Sequence, residues 1–424
     1  MAAEFYPVIV VGGGASGMAA AITAAGILGT GKVLLLERGA RAGRKLLAAG
    51  NGRCNLSNRF ADVSRYHGAD PGFVGPAFQR FPVEENLKFF ERLGLLAVEE
   101  EEGKLYPMSL QAAAVLDVLR LALEESGVNL LTGIDVLSVR PGKEGFSLLC
   151  KTEEGERAFR ARKVVIACGG EASPGLGGCK GGYALLGSLG HRITPRLPAI
   201  VQLKADVKGV KGLSGSKFDA RVTLLSGKRP VRAERGELLF TDYGVSGPPI
   251  MQLSGSAVRL MDKGKPAALS ADFLPDWEEE AVREQLFRRK KLLRGRKLED
   301  FMTGFVPKRL GQMALKAAGA APLSREAGSL THEEIGRTAA LLKGFPLTLT
   351  GDNGMKNAQV TQGGAVTAEF HAGSMESKLV RGLYACGEVL DIDGDCGGFN
   401  LQWAWSSGRL AGESAAAGLR RGEE

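Results

Sequence analysis

Long hydrophobic runs are missing. The longest apolar stretches, such as Val8–Val11 and Val33–Leu36, fall far short of the roughly 20 residues a membrane span requires. Closely spaced thiols are missing too: Cys54, Cys150, Cys168, Cys179, Cys386 and Cys396 contain no C-x-x-C pair. The chain is neither short nor cysteine-dense, so reduced thiols in a cytoplasmic setting are expected. Cys54 has no near neighbour in sequence, which speaks against a dithiol relay. Cys168 and Cys179 stand 11 apart and are expected to be structural. His67, His191, His332 and His371 lie far apart with no metal-ligand spacing, so no metal site is expected. No Ser-His-Asp arrangement follows from spacing. The opening MAAEFYPVIV lacks a basic segment ahead of its apolar run, and a strand is expected there instead of a secretory signal. A net charge of +8 over 424 residues is a mild bias, short of a nucleic-acid signature.

Glycine is what the chain has in excess: 60 residues, about twice the usual share. No Gly-X-Y period accompanies them, so tight turns and close backbone approaches are the reading. Hydrophobic content of 44% and charged content of 24% are those of a globular protein. The length suggests roughly two to three domains.

Pro7–Val11, GGGASG and the alanine-rich Met18–Ala25 parse as strand, glycine turn and helix. Lys32–Leu36 adds a second strand and completes a βαβ unit. Residues 38–58 read as irregular. Helices are expected over Val83–Leu93 and Ser109–Ser126, the latter with Ser109 as N-cap. Val164–Cys168 reads as an apolar strand, and a final helix is expected over Leu401–Leu419. Between them the character changes. Residues 191–345 read as an inserted domain, β-rich over 191–275 and helical over 276–345. Residues 1–190 and 346–424 then form one Rossmann-like domain from both chain ends. The fold class expected is α/β.

Gly12-x-Gly14-x-x-Gly17 lies between strand and helix, and Glu37 follows 20 residues after Gly17. With both flanks and the acid in place this is a dinucleotide fingerprint. Gly12 permits the turn, Gly14 admits a pyrophosphate and Gly17 lets the helix pack on the strand. The free N–H groups at the helix start hold phosphate. Glu37 suits the two hydroxyls of an adenosine ribose and repels a 2′-phosphate, so FAD or NAD is expected over NADP. A second element, Gly382–Gly408, runs from an apolar strand through Gly387-Glu388 to Gly397-Gly398-Phe399-Asn400 at the start of the last helix. That helix N-terminus either stabilises negative charge on a flavin or is a cap with packing glycines. Arg44, Lys45 and Arg53, interleaved with Gly43, Gly50, Asn51 and Gly52, suit a loop wrapped around an anionic cofactor.

The segments GRKLLAAGNGRCNLSN (Gly43–Asn58), GELLFTDYGVSGPPIMQLS (Gly236–Ser254), VPKRL (Val306–Leu310) and FPLTLTGDNGMKNAQVTQGGA through GFNLQWAWSSG (Phe345–Gly408) resemble the BaiN/RdsA family of NAD(P)/FAD-dependent oxidoreductases. That family includes an aminoacetone oxidase. The resemblance runs over essentially the whole chain and implies a glutathione-reductase-type FAD fold. It implies a pyrophosphate loop of Gly12, Gly14, Ala15, Ser16 and Gly17, with Glu37 and Arg38 at the adenosine ribose. Arg44, Lys45, Asn51, Gly52, Arg53 and Cys54 would pass along the pyrophosphate and flavin, and Val136 would meet the adenine. Ala167, Cys168 and Gly169 would form a middle contact. Gly387, Glu388, Asp391, Gly397, Gly398, Phe399, Asn400 and Leu401 would meet the ribityl chain and isoalloxazine. Cys386 stands where alanine is usual in that family, and Cys168 and Asn51 vary similarly.

The activity expected is hydride transfer through FAD, with NAD(P)H as possible donor and a small unsaturated carbonyl compound as acceptor. Two alternatives are an oxidase of small amines and an RNA-associated flavoprotein, although neither nucleic acid nor a membrane is the partner the sequence favours. Asp242 and Tyr243 are candidate proton-transfer residues, or else pack a domain junction. The basic run Arg283–Lys297 reads as a solvated helix face, with RNA or membrane contact as the alternative.

Overall fold

A computed structural model describes residues 3–420. The chain divides into two compact units, Met1–Leu197 with Gln359–Glu424 and Pro198–Ala358.

The first unit is built on a seven-stranded sheet. Its first strand, β1 (Glu4–Val11), ends in four fully apolar residues, Val8–Val11, which are buried on both faces. That pattern belongs to the centre of a parallel sheet. β2 (Val33–Leu36) and the end of Gly155–Ile166 pair with it in parallel on either side. Asn129–Leu131 extends the sheet beyond β2. On the other flank the long strand Gly155–Ile166 does two things. Its outer half folds back on Gly145–Thr152 and Asp135–Gly142 as an antiparallel meander. Its inner half, Val164–Ile166, pairs in parallel with Leu383–Ala385.

Between β1 and β2 lies helix α1 (Ala15–Leu28), capped by Gly14 without a side-chain bond. Ser16–Ile22, Ala24 and Ala25 are buried, so most of its circumference is covered by neighbours. One neighbour is the last helix, Phe399–Arg420. Residues 38–58, expected to be irregular, contain instead a short helix, α2 (Arg44–Ala48), and a 3-10 turn over Ala49–Gly52. Numbered in chain order, the last helix is α3. The helix expected over Ser109–Ser126 begins only at Ala112, with Gln111 at the cap position. Leu110 adopts a left-handed φ of 55°, which no helix can incorporate.

The second unit is a closed six-stranded barrel. Its strands run in space as Leu203–Ala205, Gly244–Ser246, Arg229–Phe240, Lys217–Ser226, Ala268–Asp272 and Phe345–Asp352. The last of these corrects the expected boundary at 345/346. Phe345, Leu347 and Leu349 alternate with exposed residues and supply the inward face that closes the barrel between Ala268–Asp272 and Leu203–Ala205. The unit therefore extends to Ala358 and begins at Pro198. Helices Glu279–Leu292, Lys308–Ala317 and His332–Lys343 belong to the same unit. The last of them starts at a capping box: Thr331 accepts from the Glu334 amide, and the Glu334 carboxylate accepts from Thr331 N–H at 2.8 Å.

The strand–turn–helix junction leaves no room for a side chain. A Cβ on Gly17 would lie 1.8 Å from the Gly12 carbonyl oxygen. A Gly17→Ala variant must push α1 away from β1 and is expected to lose about 2–3 kcal/mol. A lowered urea midpoint at unchanged slope measures it.

Candidate functional site

The site grows from the N-terminus of α1. The first turn of any α-helix leaves amides without intrahelical acceptors, and here no side chain caps them. Gly12, at φ 111°, brings the chain within contact of the Ala167 carbonyl. Ala167 in turn donates its N–H to Val11 at 2.8 Å. Above Gly14 there is open space: a Cβ there would meet nothing within 4 Å. An uncapped helix start under an open backbone fits a diphosphate.

Glu37 ties this loop together. Its Oε2 accepts from Gly13 N–H at 2.8 Å and its Oε1 from Gly39 N–H at 2.6 Å. Each carboxylate oxygen keeps a further lone pair for a ribose hydroxyl. The Glu37 backbone carbonyl accepts from Ile134, which brings Val136, buried on the adjoining strand, to the same end. Arg38 and Arg44 donate to the carbonyls of Gly177 and Gly175 at 3.3 and 3.0 Å. They hold the 174–177 turn against the same loop.

Lys45 and Glu388 meet at 2.9 Å. Glu388 Oε1 also accepts from Thr361 N–H at 2.8 Å, so one carboxylate joins α2 to the C-terminal segment. Glu388 is expected from the resemblance at the ribityl chain, whereas no motif in the sequence singles out Thr361 or Gly170. Gly170 makes the carboxylate's seat, since a Cβ there would come 2.3 Å from Glu388 Oε1. Nothing in the local spacing links these three positions.

Gly50, Asn51, Gly52 and Cys54 all take left-handed backbone conformations, a concentrated strain of the kind found at ligand-wrapping turns. Arg53 is committed within it. Its guanidinium pairs with Glu100 and stacks 4.3 Å over the Tyr106 ring. A cleft of about 460 Å³ opens there, lined by Arg53, Glu100, Glu101, Lys104 and Tyr106. Burial pushes the Cys54 thiol up to about 12 and raises Cys168 as well. Both therefore stay protonated at neutral pH and are poor nucleophiles.

Gly387, in the turn after Leu383–Ala385, donates to Ser407 Oγ and accepts from the Trp403 indole. It is held between α1 and α3. Asp391 is buried and accepts from Ala69 N–H at 3.4 Å. Gly397 accepts from the Asn58 carboxamide at 2.9 Å, and Phe399 O from Tyr66 OH at 2.8 Å. The Asn400 side chain bridges Gly394 and Asp395, so α3 offers only backbone amides of residues 399–401 to a ligand. Asp242 and Tyr243 lie on the turn of the barrel unit that Thr241 N–H closes onto Gly244 O. Asp242 accepts from the Ser214 hydroxyl, and Tyr243 is exposed.

One constellation was invisible in the spacing. His191 contacts Glu369 Oε2 through Nδ1 at 3.1 Å and Ser377 Oγ through Nε2 at 2.9 Å. This has the connectivity of a Ser-His-acid triad, but Ser377 Oγ also accepts from Leu379 and Val380 N–H. With its lone pairs spent and all three residues largely buried, the group is a structural clasp. Among the described residues no cluster of three or more His, Cys, Asp or Glu could hold a metal. No described helix is long and apolar enough to cross a membrane.

The chain matches the HI0933-like protein Rossmann domain over residues 6–414. It is 39% identical over 407 residues to a 3-dehydro-bile acid delta(4,6)-reductase of Clostridium scindens, covering 96% of this chain and 98% of the relative. It is 30% identical over 407 residues to a ribosomal RNA dihydrouridine synthase of Escherichia coli, covering 95% and 96%. A solved 3-ketosteroid delta1-dehydrogenase from Sterolibacterium denitrificans shares the fold, with a TM-score of 0.51 at 14% identity over 98% of this chain and 100% of that one. The protein is an FAD-dependent oxidoreductase with a Rossmann-type cofactor domain. The resemblance read from Gly43–Asn58 and the C-terminal motifs holds over residues 6–414. Within that class it belongs to the HI0933-like family.

Burial holds the His191 imidazole below its usual 6.5. The unfolded chain therefore takes up this proton at higher pH than the folded protein does. The site's contribution to stability is complete above pH 6.5 and falls as the solution is acidified below it. Between pH 7 and 5 the melting temperature of the native protein is expected to drop further than that of His191→Gln. Equal drops in thermal melts would show the clasp is indifferent to the proton.

Proposed function

We propose that this chain is an NAD(P)H-driven, FAD-dependent reductase that saturates a carbon–carbon double bond conjugated to a carbonyl group. The observation that carries the reading is the 39% identity, over nearly the full length of both chains, to a reductase whose name specifies 4,6 double bonds in a 3-oxo compound. The more distant relative's product, dihydrouridine, also arises by saturating a ring double bond next to a carbonyl. One chemistry thus spans both.

The cofactor, when bound, supplies hydride transfer at its N5 atom. The protein's share is placement and charge. The amides and dipole at the start of α1 hold the diphosphate, and the spare lone pairs of Glu37 receive the adenosine ribose hydroxyls. Ala15, Ser16 and Gly17 continue that cradle, with Arg38 and Arg44 as flanking cations. Ala167, Cys168 and Gly169 line the middle of the dinucleotide. The Lys45–Glu388 pair fixes α2 beside it. The free amides of Phe399, Asn400 and Leu401 favour negative charge at the pyrimidine edge. Asp242 and Tyr243 are the candidate donors of the proton that must reach the substrate carbon. The chain has no second G-x-G-x-x-G unit, so the nicotinamide binds without a Rossmann domain of its own.

A ribosomal RNA base is the second reading, favoured by the 30% identity to an enzyme named for that substrate. Its ring would present the same conjugated bond.

Anaerobic stopped-flow decides the activity. NADH or NADPH is expected to bleach the flavin, and a 3-oxo-4-ene is expected to restore its colour. If neither nucleotide bleaches it, while small amines in air yield peroxide, the protein is an oxidase. Glu37→Ala removes the acceptor of two backbone N–H groups as well as the ribose contact. It is expected to weaken FAD binding at least about tenfold, read by flavin fluorescence titration.

A further inference from the structure

We infer that the carboxamide oxygen of Asn55, set against the N-terminus of α3, is the acceptor for the imide N–H of the flavin pyrimidine ring. This rests on the FAD reading above, and it adds a positioning residue that neither spacing nor motif singled out.

Asn55 is only 8% exposed, and its Oδ1 is buried with no hydrogen-bond partner. An orphaned buried acceptor costs about 1–3 kcal/mol, so its persistence asks for a ligand. The neighbouring polar side chains are satisfied. Ser57 Oγ donates to Gln402 Oε1 at 2.7 Å. Asn58 donates to the carbonyls of Gly397 and Glu102 and accepts from Phe60 N–H. Asn55 Oδ1 differs from these two neighbours in having no partner.

Its direction is equally specific. A Cβ on Gly398 would lie 2.7 Å from Asn55 Oδ1 and 2.3 Å from the Ser57 carbonyl oxygen. The oxygen therefore sits where the chain enters α3, and glycine at 398 (φ 99°) keeps the approach clear. The first i→i−4 bond of that helix runs from Gln402 N–H to Gly398 O at 3.0 Å. The amides of residues 399–401 consequently have no intrahelical acceptor. Asn400 cannot supply a side-chain partner, because its carboxamide is spent on Gly394 and Asp395.

The result is one lone acceptor beside a short row of donors. A phosphate would use the donors and repel the acceptor. A hydrocarbon would satisfy neither. The group that matches is a cyclic imide, whose N–H donor is flanked by carbonyl acceptors, and that is the pyrimidine edge of an isoalloxazine. Asn55 then fixes the ring's orientation while α3 carries its charge.

Reconstitution of the flavin-free protein with FAD and with N3-methyl-FAD tests this. The native protein is expected to prefer FAD at least tenfold in Kd. Asn55→Ala and Asn55→Ser should weaken FAD binding and bring the preference within twofold, while Asn55→Asp, which keeps an oxygen in place, should retain it. Thermal melts of the flavin-free forms give a second readout. Losing an unpartnered acceptor should leave N55S close to the native melting temperature. If Asn55 instead caps α3, flavin-free N55S and N55A melt well below the native protein and the preference for FAD stays unchanged. That result overturns the assignment but leaves the FAD reading intact. Failure of the native protein to bind either flavin overturns both.

Discussion

Everything in the cofactor unit depends on how closely α1 and α3 approach. Gly408 and Gly412 of α3 sit against the backbone oxygens of Ser16 and Ala20, where added Cβ atoms would lie 2.3 and 2.2 Å away. Two helices from opposite ends of the chain thus touch backbone to backbone. That contact places the uncapped start of α1 and the entry to α3 in one unit and buries Ser16–Ile22 of α1. Packing of this density tolerates little change, because a single methyl group has nowhere to go.

The elements legible in the sequence were those with a local cause. β1, α1 and β2 follow from an apolar run, three spaced glycines and Glu37, and each forms where those residues require. Strand Phe345–Asp352 lies across the boundary expected at 345/346 and belongs to the barrel unit. Its alternation says that one face is buried and not which partner buries it. Ser109 looked like a cap because caps are recognised by residue type, while the left-handed turn at Leu110 that moves the helix start has no such signature. The same limit applied to the site. Gly12, Gly17 and Glu37 could be picked out by spacing, but the convergence of Gly170, Thr361 and Glu388 comes only from tertiary folding.

The structure also shows how the polar groups around the site are spent. Several cations that looked free for a ligand already have partners. Lys45 is paired with Glu388, Arg53 with Glu100, and Arg38 and Arg44 with carbonyls of the 174–177 turn. Such pairs preorganise the wall of a pocket more than they add attraction, because the charge is already largely compensated. Among the donors, the backbone amides at two helix starts remain uncommitted. They are also the donors least able to swing away, which suits a cofactor held through many turnovers.

The position of α3 at the far end of the chain has a temporal meaning. During synthesis β1 and α1 leave the ribosome hundreds of residues before α3, and the whole barrel unit is made in between. The nascent chain therefore carries half a cradle through most of its translation. Capture of the cofactor waits until α3 has been made, and a product terminated before it would be colourless.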